Sequence, residues 1–126
     1  PMTNSCPVCL TVQAGPSFAR LVRMTASNVA MLSSMSVDRI EDIRMAAEEA
    51  FIYACSTEPG ADLSISFDVD SEHVGMTFEL GDVAFAEPSE EDPTSAYVDL
   101  ILGAVCDSYE KREDPATLVL MLKADV

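Results

Sequence analysis

The stretch Ser36–Ser56, SVDRIEDIRMAAEEAFIYACS, is the longest helical pattern in the chain. Ser36 is a favourable N-cap residue, and Asp38 lies where the helix dipole favours a negative charge. Pro59 and Gly60 end the pattern. Its apolar side chains recur at the three-and-four spacing of a single buried stripe: Ile40, Ile43, Ala47, Ala50, Phe51 and Ala54. The stretch therefore predicts a long amphipathic helix that the other elements must cover.

The flanking sequence predicts four strands and two further helices. The predicted strands cover 10–14, 63–69, 74–80 and 116–123; one helix covers 18–32 and another begins at Asp92-Pro93 and ends in the run 109–115. Alternating apolar residues on both sides of the short loop 71–73 predict an antiparallel hairpin. The 18–32 helix is expected to bury a stripe made of Phe18, Leu21, Val22, Thr25, Val29 and Leu32.

This order of elements predicts an α/β (α+β) two-layer sandwich, in which three helices cover one face of a mixed β-sheet. A chain of 126 residues with 48% hydrophobic composition can bury a full core as a single domain. We expect that domain to span 10–126, with a flexible N-terminal segment at 1–9. No apolar run approaches the ~20 residues of a membrane span, and none is typical of a signal peptide, so a cytoplasmic location is expected.

The formal net charge is −15, with only seven lysine and arginine residues. Nucleic acids and anionic membranes are therefore unfavourable partners, because contacts with phosphate need a basic surface. A basic protein segment is the natural electrostatic complement. The alternative is that the acidity only confers solubility.

Cys6 and Cys9 have the CxxC spacing of redox motifs and of half a zinc site. No second pair is present, and His73 is the only histidine. The sequence therefore predicts a frayed terminal segment at this motif rather than a metal or redox site.

Three stretches carry a family resemblance: PSFARLVR at 16–23, IEDIRMAAEEA at 40–50, and the segment 99–123. They resemble the anti-sigma-factor serine kinases, which belong to the GHKL, or histidine-kinase-like, ATPase superfamily. The resemblance implies a GHKL fold that binds ATP and magnesium between its helices and its sheet. It also implies a protein that holds a sigma factor inactive and phosphorylates an antagonist protein.

The residues at the family's nucleotide positions depart from the family pattern. Family members carry a general-base glutamate on the second helix and, four residues later, an asparagine that ligates magnesium. Here Glu49 takes the base position, but Tyr53 stands in place of the asparagine, and a phenol is a poor magnesium ligand. The family's Asp-x-Gly-x-Gly adenine box corresponds to 82–86, DVAFA, in which Asp82 is kept and both glycines are lost. A register two residues earlier would place Leu80 at the aspartate position, and both registers stay open.

The family's glycine-rich phosphate turn corresponds to 93–98, which contains no glycine. Three carboxylates precede that turn: Glu90, Glu91 and Asp92. At ~6 Å and an effective dielectric constant of ~20, each carboxylate would repel each phosphate charge by roughly 3 kcal/mol. We therefore expect nucleotide binding to be lost or weakened, with no cofactor and no enzymatic activity.

The resemblance and these departures together predict a regulatory protein that captures a sigma factor or an anti-sigma antagonist by protein–protein contact. The expected contact surface is the first helix, including Arg20 and Arg23, because four of the seven basic residues lie on the first two helices. The alternative for these arginines is pairing with local carboxylates.

Two other functions stay open. The first is an active serine kinase that uses ATP and magnesium, with Glu49 as base and Asp82 holding adenine. The second is a cleft lined by Tyr53, Phe85 and Tyr97 that serves another small ligand or self-association as a homodimer. The alternative for these three side chains is simple packing in the core.

Overall fold

The computed structural model describes residues 8–57, 59–81, 83, 85 and 94–125. The described chain forms a five-stranded antiparallel sheet and three α-helices. In chain order the elements are β1 (Val8–Gln13), α1 (Ala19–Ala30), α2 (Val37–Thr57), β2 (Asp62–Val69), β3 (His73–Gly81), α3 (Thr94–Val105), β4 (Ser108–Arg112) and β5 (Ala116–Lys123), with a short 3₁₀ turn at Pro16–Phe18 before α1. The strands lie in the order β1-β2-β3-β5-β4. No helix in these ranges is long and apolar enough to cross a membrane.

The long central helix α2 has the cap and the buried stripe that its sequence predicts. The backbone N–H of Arg39 donates to the Ser36 hydroxyl at 3.2 Å, which is the geometry of an N-cap. Of the predicted stripe, all but the half-buried Ile40 are at most 2% exposed. The buried side also includes Ala46, Tyr53 and Cys55, so α2 is covered over a wider arc than one stripe.

One face of the sheet packs against the helices. Ile65 lies opposite Phe78, and Phe78 lies opposite Leu118 on the next strand, and all three side chains are fully buried. They belong to the same apolar cluster as the inner sides of the three helices. The opposite sheet face carries shorter polar side chains, such as Thr11 and Ser64, whose hydroxyl oxygens lie 3.2 Å apart. This burial pattern confirms a layer of helices on one side of the sheet.

All pairings among the described strands are antiparallel, so the prediction of a mixed sheet is wrong. The reason is the strand β4, which occupies a run that the sequence pattern assigned to the end of the last helix. A single helix between two neighbouring strands delivers the second strand parallel to the first. Here α3 is followed by β4, and the β4–β5 hairpin reverses the chain before β5 pairs with β3.

The buried side of α1 also differs from the predicted stripe. Its buried residues are Val22, Ala26, Val29 and Ala30, whereas Phe18, Leu21 and Leu32 are exposed. Two alanines on the inner side allow α1 to approach α2 closely, and this contact outweighs the larger apolar side chains that the periodicity favoured. A row of apolar side chains is therefore left facing solvent.

Arg39 joins the beginning of α2 to two distant chain segments. Its guanidinium donates to the Asp107 carboxylate at 2.6 Å and to the Lys123 carbonyl at 2.8 Å. It also contacts Asp42 at 3.1 Å and the Val105 carbonyl at 3.2 Å. The Lys123 backbone N–H, with the help of Arg39, holds the pKa of Asp107 below its usual value. Arg39 thus fixes the ends of α3 and β5 against α2.

Candidate functional site

Tyr53 lies on the inner side of α2 and is 2% exposed. Its ring stacks against that of Phe85, with 6.1 Å between the ring centroids and 9° between the ring planes. The Tyr53 hydroxyl is buried and has no hydrogen-bond partner within the described ranges. The predicted magnesium-ligand position is therefore occupied by an aromatic ring packed into the protein interior.

Lys111 of β4 extends toward the same two rings. Its ammonium nitrogen lies 4.9 Å from the Tyr53 ring centroid and 5.4 Å from that of Phe85. The ammonium also donates to Asp99 at 2.8 Å, and the other oxygen of that carboxylate accepts from the Tyr109 hydroxyl at 2.7 Å. We call these residues, Tyr53, Phe85, Asp99, Tyr109 and Lys111, the Lys111 cluster. The cluster ties α2, α3 and β4 together.

The protonation of the Lys111 cluster follows from these contacts. Burial alone would lower the pKa of the Lys111 ammonium, but the hydrogen bond to the Asp99 carboxylate opposes that effect, and the pKa is raised. Burial also raises the pKa of the Tyr109 hydroxyl, and the hydrogen bond to Asp99 raises it further. At neutral pH the cluster therefore holds a charged ammonium and a protonated phenol.

Such a cluster does not suit magnesium or a nucleotide at this position. Mg²⁺ requires oxygen ligands in octahedral geometry, whereas the side chains around Tyr53 present ring faces and a cation. The side chains around Tyr53 therefore do not fit the magnesium that the resemblance implies at this position.

Sequence reasoning missed three members of the Lys111 cluster. Tyr109 and Lys111 lay in the run assigned to the end of the last helix, and Asp99 lay within that helix with no role assigned to it. The signal that could have found them is the period-two placement of Tyr109 and Lys111, which puts both side chains on one face of a strand.

Glu49 occupies a different environment from Tyr53, although one helical turn separates them. It is half-buried at the edge of a surface cleft of about 220 Å³, lined by Arg23, Glu41, Arg44, Met45, Glu48 and Glu49. Glu49 makes no hydrogen bond or ion pair with any residue that the structure describes. The predicted base position therefore faces a cleft on the α1–α2 side of the molecule.

The two arginines of the predicted partner surface differ in their pairing. Arg23 donates to Glu48 of α2 at 2.5 Å, which is the local pairing that the sequence left open as an alternative. Arg20 is exposed and forms no ion pair in the described ranges. Asp82 and the carboxylates Glu90, Glu91 and Asp92 lie outside the described residues.

The exposed side of α1 and its flanks is apolar and free of acidic residues. We call it the α1 surface and define it as Phe18, Arg20, Leu21, Met24, Met31 and Leu32, of which Met31 and Leu32 are more than two-thirds exposed. Every one of the 22 acidic residues of the chain lies at or after Asp38. The α1 surface itself therefore carries no carboxylate, although the protein as a whole is strongly acidic.

Comparison with models of protein families finds no match, and neither does a search of curated proteins. The case for a function therefore depends on the residues described above.

Proposed function

We propose that the protein is a regulatory protein of the anti-sigma type, which captures a sigma factor or an anti-sigma antagonist by protein–protein contact. In this proposal the domain is GHKL-like and its nucleotide chemistry has been lost. The Lys111 cluster is the observation that carries the proposal, because it fills the position where the resemblance would place magnesium.

The packing of the cluster supports the loss of nucleotide binding. The Tyr53 ring contacts both the Phe85 ring and the Lys111 ammonium, and that ammonium is held by Asp99. A nucleotide–magnesium complex would have to displace the stacked ring and bring a divalent cation next to the ammonium. Both changes cost free energy, since the first exposes apolar surface and the second sets two cations close together.

The α1 surface supports partner capture. Exposed apolar side chains at the centre of a contact supply most of the free energy of association, and an arginine among them adds specificity. Arg20 is free to pair with a partner, since it has no ion pair within the described residues. The same surface carries no carboxylate, so its apolar side chains can be buried against a partner without desolvating a negative charge.

Calorimetric titration with Mg-ATP tests the loss of nucleotide binding. We expect no saturable heat at ATP concentrations up to about 1 mM. Any binding free energy would then be weaker than about −4 kcal/mol. Micromolar binding would contradict the proposal, and phosphate transfer to a small antagonist protein would establish the kinase instead.

Affinity capture from the native cell extract tests the contact surface, with and without ATP. The baits are the unchanged protein, Arg20→Glu, and Arg112→Glu as the matched charge reversal on the exposed edge strand β4. We expect a sigma factor or its antagonist on the unchanged and Arg112→Glu baits, with little on Arg20→Glu and no dependence on ATP. Equal capture by all three baits would contradict the role of the α1 surface.

A further inference from the structure

The cleft beside α2 contains charged groups whose hydrogen-bonding capacity is only partly used. Arg23 pairs with Glu48 and Arg44 pairs with Glu41, each at 2.5 Å through one terminal nitrogen. The Nε atoms of both arginines are buried, and neither has an acceptor among the described residues. A buried donor without an acceptor costs free energy until something supplies one.

Glu49 gives the cleft an uncompensated negative charge. The two arginines are balanced by Glu41 and Glu48, whereas Glu49 has no partner among the described residues. Met45 adds an apolar side chain to the wall of the cleft. The cleft of about 220 Å³ is therefore lined by one carboxylate that has no partner among the described residues, by two arginines whose buried Nε–H groups lack an acceptor there, and by an apolar side chain.

We infer that this cleft receives an arginine side chain of the captured protein, an inference that rests on the proposed function of partner capture. The guanidinium pairs with Glu49, because its planar fork matches a carboxylate. Its methylene stem packs on Met45, and backbone carbonyls beside it accept from the Nε–H groups of Arg23 and Arg44. The groups that are unpaired in the isolated protein thereby gain partners.

Charge decides between this occupant and an anion. A phosphate could also accept from the two Nε–H groups, but it would enter a cleft with three carboxylates and two guanidinium groups. The net negative charge of the cleft and of the whole chain, −15, disfavours that approach. Arg23 belongs to α1, so the cleft adjoins the helix that carries the α1 surface, and one partner segment can contact both.

The probe for this inference is N-acetyl-arginine-N-methylamide, which presents an arginine side chain between two peptide carbonyls. Its uncharged analogue, N-acetyl-citrulline-N-methylamide, and inorganic phosphate are the comparison probes. Each is titrated into the ¹⁵N-labelled full chain, and NMR follows the backbone amides of 41–49 and the side-chain Nε–H signals of Arg23 and Arg44. We expect only the arginine probe to shift these signals.

Glu49→Gln should weaken binding of the arginine probe by about three- to fivefold, the loss expected for one partly exposed charge pair. Glu113→Gln is the matched control, since Glu113 is exposed in the β4–β5 turn and the substitution removes the same charge. Equal binding of the citrulline probe, binding of phosphate at the same signals, or equal weakening by both variants would overturn the inference.

The probe experiment and the capture experiment can fail separately. If the arginine probe binds at Glu49 but no sigma factor or antagonist is captured, the proposed function is wrong and the arginine-binding cleft stands. If capture succeeds through Arg20 but the arginine probe leaves the cleft signals unchanged, the inference about the cleft is wrong and the proposed function stands.

Discussion

Replacing Lys111 by methionine removes the ammonium of the Lys111 cluster while keeping most of the volume of the stem. The substitution leaves the stacked rings of Tyr53 and Phe85 without the cation. Among the described residues, it leaves Asp99 with only the Tyr109 hydroxyl as a partner. We expect the protein to fold and to be less stable.

The size of the effect follows from two contacts. A cation close to a partly desolvated aromatic ring contributes about 1 kcal/mol. The ion pair with Asp99, whose side chains are 24% and 37% exposed, contributes about another 1 kcal/mol. Lys111→Met should therefore lower the free energy of unfolding by about 2 kcal/mol.

Urea denaturation followed by circular dichroism measures this loss. With a denaturant slope of about 2 kcal/mol per molar urea, the midpoint should fall by about 1 M. The control is Arg112→Met on the same strand, which breaks the ion pair between Arg112 and Glu110. That pair is also 2.8 Å long, but its side chains are far more exposed, at 64% and 53%. That variant should lose under about 0.5 kcal/mol.

A double-mutant cycle with Asp99→Asn separates the ion pair from the ring contacts, and the coupling between Lys111 and Asp99 should be about 1 kcal/mol. If Lys111→Met is as stable as Arg112→Met, the cluster does not hold α2, α3 and β4 together as argued. The reasoning that the cluster excludes a nucleotide would then lose its energetic basis.

Three further predictions test other parts of the fold. Arg39→Ala should cost about 2–3 kcal/mol in the same assay, because it removes hydrogen bonds to two distant chain segments. A loss no larger than that of Arg44→Ala would contradict this. Gly81 has a φ of 91° and no atom near an added Cβ, so Gly81→Ala should cost about 1 kcal/mol of stability from backbone strain alone. Gly103→Ala in α3 should instead gain about 0.5–1 kcal/mol, because alanine favours a helix more than glycine does. Stability changes of the same sign in the two variants would refute the explanation by backbone conformation. Burial raises the pKa of the Cys106 thiol from 9.0 to about 12, so the unfolded chain loses this proton first and stability falls as pH rises above about 9. Between pH 8 and pH 10 the free energy of unfolding should therefore fall by about 1 kcal/mol less in Cys106→Ala than in the unchanged protein. If the two proteins lose stability in parallel over this range, the Cys106 thiol does not contribute.

The local sequence pattern predicted an element correctly where one apolar stripe packs against one layer of the fold. The period of α2 and its Ser36 cap, and the alternation in β2 and β3, correspond to the structure. The pattern failed for β4, whose sequence SYEKR is polar and half-exposed. An edge strand of that kind is defined by its pairing with β5 rather than by its own composition, and no local signal fixes that pairing.

The candidate site was less predictable than the fold for a related reason. Glu49 and Tyr53 lie on one helix, so their spacing was evident from sequence. The contacts of Tyr53 with Lys111 and of Lys111 with Asp99 join residues 58 and 12 positions apart. Whether Arg23 pairs with Glu48 also depends on how α1 packs against α2, which the small residues Ala26 and Ala30 decide.

The separation of charge along the chain has a consequence for the encounter with a partner. β1 and α1 carry none of the 22 carboxylates, so the negative charge is unevenly distributed among the elements of the fold. An uneven charge distribution can orient an approaching charged partner over about a Debye length, about 8–10 Å at moderate salt. Added salt shortens that range, so it should lower the association rate constant more than it raises the dissociation rate constant.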